Sequence, residues 1–254
     1  MSNHDAYLLS LGPSAWWKLA DSVGSLTAAD SSGNGYTGTV NGGVTFGQAG
    51  PIAGSPQDTA ALFASAANIQ GPSIATASEA AFNLQATFSV VVWLRNTDAS
   101  NLQNNGGIVS ATNSVASTNG WGLYYEGVNG LYAYWTAPSG AWQRVGSFGQ
   151  FVPNDSAWHM LTVTWNISAG TLQSTAFQLD GGAPNTGTVG YTGTATYLTA
   201  PEVVMGQGYY SWVGTIAEVA IFPTALTAAQ VARLWSPPRV VRGNGGFPQL
   251  VAGR

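Results

Sequence analysis

Cysteine is absent from the 254 residues, which removes disulfide frameworks and thiolate metal sites and leaves the redox compartment open. Charge is scarce too, at 7% of the chain against about a quarter in an ordinary globular protein. Seven basic residues face eleven acidic ones for a net charge of −4, and no run of Lys and Arg could form a stripe that neutralises phosphates. Nucleic acid is therefore not an expected partner. No apolar run approaches the ~18 residues needed to span a bilayer, so membrane insertion is not expected either. The opening SNHDAYLLSLG lacks the basic start, continuous apolar centre and small-residue cleavage site of a secretory signal. The expectation is a soluble protein, made in the cytoplasm and not exported by the ordinary signal route.

What the chain does hold is 33 Gly, 12 Pro and 10 Trp among many Thr, Ser, Asn and Val, a balance that favours strands and turns over surface helices. Its length suits one all-β domain with terminal extensions. Apolar runs of strand length, TFSVVVWLR (87–95), WGLYYEG (121–127) and AWHMLTVTWN (157–166), lie between Gly, Asn, Ser and Pro clusters. In the third, Leu161, Val163 and Trp165 share one face opposite Met160, Thr162 and Thr164. The first is apolar at both parities, which places it mid-sheet with both faces covered. Asp180 and Gly181, and likewise Asn129 and Gly130, suit tight hairpin turns that need positive φ. One segment reads as helical: in ALTAAQVARLW, Thr227 caps, Gln230 completes a capping box, and Leu226 with Val231 forms a hydrophobic staple. From Ser236 the text reads as an extended tail.

Taken in order, AWWKLADSVGSLTAADSSGNGYTGTV, TFSVVVWLR, SAWHMLTVTWN with FQLDGG, and GTIAEVAIFPTALTAAQVARLW resemble the laminin-G-like, concanavalin-A-like lectin fold. The resemblance implies an all-β, two-sheet antiparallel jelly-roll sandwich over residues 14–235 with one short C-terminal helix. Residues 1–13 then form a lead and 236–254 the tail. The opening AYLLSLGPSAWWKLAD is similar to that of minor tail proteins of actinobacterial phages, which implies a location in the virion tail. Fold alone does not decide function, because this sandwich hosts adhesins, lectins, hydrolases and spacers.

Two candidate sites follow. In ADSSGNGYTGTV, Asp30, Ser31 and Asn34 are oxygen-bearing residues on a Gly-rich turn, a chemistry that suits Ca2+. The family resemblance adds an acidic residue from the last long strand, usually in Gly-x-Ile-Asp-Glu; here GTIAEV keeps Glu218 and has Ala217 in place of the aspartate. The alternative is an Asx-type turn in which Asp30 bonds nearby backbone N–H groups. The second candidate is an aromatic group of Trp121, Tyr124, Tyr125, Tyr132, Tyr134, Trp135 and Trp142. From it Trp121, Tyr125, Tyr134 and Trp142 are the expected ligand contacts, set against a reading as core packing. Trp121 and Tyr125 share one parity and Tyr124 the other, so the whole group cannot line one surface. His4 and His159 are assigned no site.

No enzyme is expected. Glu79, Glu126, Glu202 and Glu218 are scattered singly, where a glycosidase needs two carboxylates about 5–10 Å apart. Nucleophile-elbow, zincin and phosphate-loop motifs are missing. The leading expectation is a non-enzymatic virion protein, a minor tail component whose jelly roll binds host-surface glycan or neighbouring tail proteins, with self-association open. The alternative is a stand-alone carbohydrate-binding module or accessory domain of a cell-wall-active system.

Overall fold

The computed structural model describes residues 2–52, 58–64, 71–97, 106–113, 119–125, 130–146, 153 and 155–235, and the backbone alone of 240–242 and 248–250. Helix α1 (Asn3–Ser10) opens the chain, followed by β1 (Ala15–Trp17), β2 (Thr27–Ala28), β3 (Gly38–Asn41), β4 (Val44–Ala49), β5 (Thr59–Phe63) and β6 (Ser73–Ala75). The middle of the chain supplies β7 (Phe88–Asn96), β8 (Gly106–Thr112), β9 (Trp121–Tyr125), β10 (Leu131–Thr136) and β11 (Ala141–Gly146). Then come β12 (His159–Ser168), β13 (Thr171–Leu179), β14 (Asn185–Thr188), β15 (Tyr191–Thr194), β16 (Glu202–Met205), β17 (Tyr210–Ser211) and β18 (Gly214–Phe222). Helix α2 (Ala228–Trp235) precedes a short antiparallel ribbon of β19 (Val240–Arg242) and β20 (Pro248–Leu250) in the tail.

These strands build a two-sheet jelly roll. One sheet runs β14-β13-β12-β7-β18-β5-β4 with β1 added on β18, and the other runs β15-β11-β10-β9-β8-β16-β6-β3-β2 with β17 added on β8. Alternation along each strand sends one parity into the space between the sheets. Strand β12 contributes Leu161, Val163 and Trp165 there, and β7 contributes Phe88, Val90, Val92 and Leu94. Strand β7 is covered on both faces, as its doubly apolar text requires, because Val91 and Trp93 point the other way into a second apolar cluster. That cluster lies under the two helices, which supply Leu8, Val231 and Leu234.

The charge-poor core is filled with indoles, four of which end their N–H groups on backbone carbonyls. Trp165 stacks on Phe88 at 4.6 Å and donates to the Tyr134 carbonyl. Trp121 donates to Phe82, Trp135 to Leu84 and Trp17 to Tyr36. Asp180 (φ 53°) and Gly181 (φ 68°) turn the chain out of β13 towards its antiparallel neighbour β14, while the β12–β13 hairpin itself turns at Ala169 (φ 50°) and Gly170 (φ 68°). Gly130 has φ 85°, whereas Asn129 lies outside the described residues.

Helix α2 starts as its sequence predicts: Thr227 N–H donates to the Gln230 carboxamide oxygen at 2.8 Å, and Gln230 N–H donates to the Thr227 hydroxyl at 3.3 Å. Thr227→Ala is expected to lower stability by about 1 kcal/mol in a urea melt. Helix α1 corrects the expectation of a single helix. Its capping box is Ser2 with Asp5, and its placement is fixed by Leu8 under the sheet and by Arg233 of α2, whose guanidinium lies 3.9 Å from the Tyr7 ring centre.

Candidate functional site

The register of the larger sheet sorts the aromatic group. Trp121, Tyr125 and Trp135 face the space between the sheets and belong to the main core. Tyr132 pairs across with Tyr124, and Tyr134 with Gly122 and Arg144, which puts Tyr124, Tyr132, Tyr134 and Arg144 on the opposite, outward face. Trp142 pairs with Gly193 of β15, and Arg144 with Tyr191. The four expected ligand contacts are therefore split by the sheet: Trp121 and Tyr125 are walled into the core at about 1% exposure or less, and only Tyr134 and Trp142 share the outward side.

On that outward side the aromatics run in a row from a buried centre to an exposed edge. Tyr124 stacks on Tyr132 at 5.2 Å and tilts against Tyr134 at 5.5 Å. Tyr134 is 6.5 Å from Trp142, which meets Tyr191 edge-on at 5.2 Å. Burial raises the pKa of the Tyr124 and Tyr134 phenols, so both stay neutral hydroxyls. Gly208 explains why the centre is closed, since a Cβ there would stand 1.9 Å from the Tyr124 ring. Accessibility begins at half-buried Trp142 and peaks at Tyr191, which is 62% exposed. Gly193 brings these two together, because a Cβ on it would stand 3.1 Å from the Trp142 ring. The Trp142 indole N–H makes no hydrogen bond, and the Arg144 guanidinium lies 3.9 Å from the Tyr132 ring centre. Tyr191 and Arg144 were not on the expected list; their cue, a lone tyrosine in a Thr- and Gly-rich strand and a lone arginine in an aromatic hairpin, acquires meaning only through strand pairing.

The loop of the first candidate, around Asp30, is a closed turn. Asp30 Oδ1 accepts the Trp16 and Ser32 backbone N–H groups at 3.0 and 2.9 Å. Its Oδ2 accepts the Ser32 hydroxyl at 2.8 Å and the Tyr36 N–H at 3.0 Å. Four donors use the four lone-pair positions of a carboxylate. Burial works to raise the Asp30 pKa, but the bonds from Ser32, Trp16 and Tyr36 hold it below the ordinary value. Asn34 turns its amide N–H to the Ser14 carbonyl at 2.9 Å. Glu218 sits at a bulge of β18 with φ 53° and accepts the Trp16 indole N–H at 2.7 Å. Asp30 and Glu218 thus take different donors of one tryptophan. Among the described residues no group of three His, Cys, Asp or Glu is placed to hold a metal ion.

Other ionisable groups sit apart from the aromatic row. His159 is held between Asp180 at 2.7 Å and Asp155 at 3.2 Å, whose hydrogen bonds raise its pKa against the opposing effect of burial. Among the described strands the only carboxylates are Glu202 on β16 and Glu218 on β18. Val203 faces the core, so its neighbour Glu202 faces outward from the larger sheet, while Glu218 lies beyond the smaller one against Trp16. With sheets packed about 10 Å apart and the two side chains on opposite outer faces, they cannot act as a glycosidase pair. Glu126 lies outside the described residues.

The family model described as the concanavalin A-like lectin/glucanases superfamily matches residues 68–232, more than half of the chain. The chain belongs to this superfamily. Among solved structures it is similar to domain 4 of AbnA, a GH43 extracellular arabinanase from Geobacillus stearothermophilus, in complex with arabinotriose. That match has a TM-score of 0.61 and 16% identity over 88% of this chain and 98% of that domain. The botulinum neurotoxin type G receptor binding domain matches at TM-score 0.52 and 17% identity over 88% of this chain and 51% of its own. The binding domain of botulinum neurotoxin DC in complex with rat synaptotagmin II matches at 0.55 and 18% over 95% and 55%. The chain spans about half the length of these toxin domains, and at such identities the likeness shows a shared fold. A comparison with curated proteins found no match. The superfamily holds both lectins and glucanases, so the chemistry of this member rests on its own side chains.

Proposed function

We propose that this chain is a non-catalytic carbohydrate-binding module that takes its ligand on the corner formed by Trp142 and Tyr191. The observation that carries this reading is the exposed Tyr191 ring set edge-on to Trp142 at the rim of an outward aromatic face. Sugar C–H surfaces stack on such rings, while sugar hydroxyls take up polar groups at the rim such as the phenol of exposed Tyr191. Domain 4 of the arabinanase, of similar fold over nearly its whole length, was solved with a bound trisaccharide, which supports the reading by analogy.

The test is a glycan array followed by titration of the best ligand. Tyr191→Ala is expected to weaken binding by about tenfold, with a melt within about 0.5 kcal/mol of the wild type because the side chain is exposed. A variant that binds as tightly as the parent would move the site elsewhere, and binding to no glycan would end the carbohydrate reading.

A virion setting is the second reading, favoured by the phage-like opening AYLLSLGPSAWWKLAD. In that setting the module sits on the tail, and its glycan belongs to the host surface or its face meets a neighbouring tail protein. Mass spectrometry of purified particles tests this directly, with the chain expected among the minor tail components.

A further inference from the structure

We infer that the ligand of the Trp142–Tyr191 surface is a neutral, hydroxyl-rich polysaccharide and not a polyanionic one. This rests on the carbohydrate-binding reading above and adds the chemical class of the sugar.

The argument is an inventory of positive charge. The chain has seven Lys and Arg residues. Three of them serve the opposite side of the sandwich: Lys18 pairs with Asp5 at 2.6 Å, Arg95 lies over Trp158 and bonds Thr215, and Arg233 lies over Tyr7. Arg239, Arg242 and Arg254 lie in the tail, outside the residues whose side chains the structure describes. Among the described residues Arg144 is the one cation that the strand register places on the outward face of the larger sheet, and it is engaged with the Tyr132 ring. Glu202 stands on that same face four strands away, so the described charges of the face sum to zero. A polymer with an anion on every residue needs a row of cations to replace its counterions, and this face does not provide one.

The surroundings favour a neutral chain on their own account. No charged residue occurs between Asp180 and Glu202, the segment that forms the sheet edges β14 and β15. That segment exposes Thr186 and Thr188 on β14 and Thr192 and Thr194 on β15, where alternation puts the last two on the strand face opposite Tyr191. Threonine hydroxyls both donate and accept, which matches sugar hydroxyls without selecting for charge. Exposed edge strands usually carry charges that deter other strands; here that place is taken by Thr and Gly, leaving an uncharged, hydrogen-bonding rim along which an extended glycan can lie.

Affinity electrophoresis of the full chain tests this, with neutral polysaccharides (arabinan, galactan, mannan, mixed-linkage glucan) in one set of gels and polyanions (polygalacturonate, a teichoic acid, hyaluronan) in another. Expected is retardation by at least one neutral polymer and by no polyanion. The dissociation constant should change by less than about twofold between about 20 and about 500 mM NaCl, and Tyr191→Ala should raise it by about tenfold. Retardation by polyanions alone, abolished by salt, overturns this inference and leaves the carbohydrate reading standing. Retardation by no polysaccharide overturns both.

Discussion

At pH 9 the Glu218→Gln variant is expected to be more stable than the parent by about 3 kcal/mol, which at this chain length is about 6–12 °C in Tm. At pH 5 the two should melt within about 1 kcal/mol of each other. The reason is that burial pushes the Glu218 carboxyl from the ordinary 4.5 up to about 8, with the Trp16 indole bond and the Lys18 charge pulling the other way and Asp58 and Asp5 adding to the rise. The folded chain therefore holds a proton that the unfolded chain releases. Stability from this proton is whole below about pH 4.5, erodes as the pH climbs, and is gone once the pH has passed about 8. Across that interval each pH unit costs about 1.4 kcal/mol, so the full range exceeds the predicted difference and leaves room for water to reach the ionised group.

Glutamine is the informative replacement because its carboxamide oxygen still accepts from the Trp16 indole and it carries no ionisable proton. Comparing the variant with the parent also removes the groups not coupled to Glu218 from the profile. His4, buried without a partner for either ring nitrogen and lowered to about 4, opposes the trend below neutrality. Asp58, raised to about 6 by burial, adds to it. His4 acts equally in the two proteins, whereas Asp58 is coupled to the substituted carboxyl and contributes to the difference. Urea melts at half-unit pH steps would show converging curves in acid and diverging ones in alkali; parallel curves would mean that Glu218 is ionised in the fold.

The same residue shows how far sequence reasoning reaches. The phrase GTIAEV placed Glu218 on the last long strand, yet its outward turn depends on a bulge with φ 53°, and its partner is an indole 202 positions away. Features written in local periodicity were legible: both faces of β7, the core parity of β12, the Asp180–Gly181 turn and the Thr227 cap all depend on neighbours within a few residues. Helix α1 escaped because it is short and its docking comes from Leu8 and Arg233, not from a strong apolar stripe. In the aromatic hairpin each strand revealed two parities without telling which one meets the core. The hairpin's own pairing of Trp135 with Trp121 and of Tyr132 with Tyr124 sorts the rings into two faces, but which face meets the core is decided by the opposing sheet, built from strands elsewhere in the chain. Consequently Trp121 and Tyr125 looked equivalent to Tyr134 and Trp142, and Tyr191, which closes the row, had no aromatic neighbours in sequence to mark it.

Asp30→Asn is expected to cost about 2–4 kcal/mol, although it changes one oxygen to an amide nitrogen. The retained oxygen can still accept from Trp16 and Ser32, but the new NH2 group would face the Tyr36 N–H, a donor that now meets a donor, and the Ser32 hydroxyl would have to turn round to accept. The carboxylate ties β1 to the loop before β3, so its loss loosens the start of the sandwich where Trp17 enters the core. The sign with pH is opposite to that of Glu218. Because hydrogen bonds overcome burial and hold Asp30 below its ordinary value, its contribution is present above that value and lost as the pH falls through the lowered one. The gap between Asp30→Asn and the parent should therefore narrow in acid, as measured by urea melts from neutrality downwards. With all four acceptor positions filled by protein donors, added calcium or EDTA should leave the parent's Tm unchanged. A calcium-dependent rise in the parent that disappears in Asp30→Asn would show that the loop opens to hold a cation, and that Ser32 and Tyr36 surrender their bonds to it.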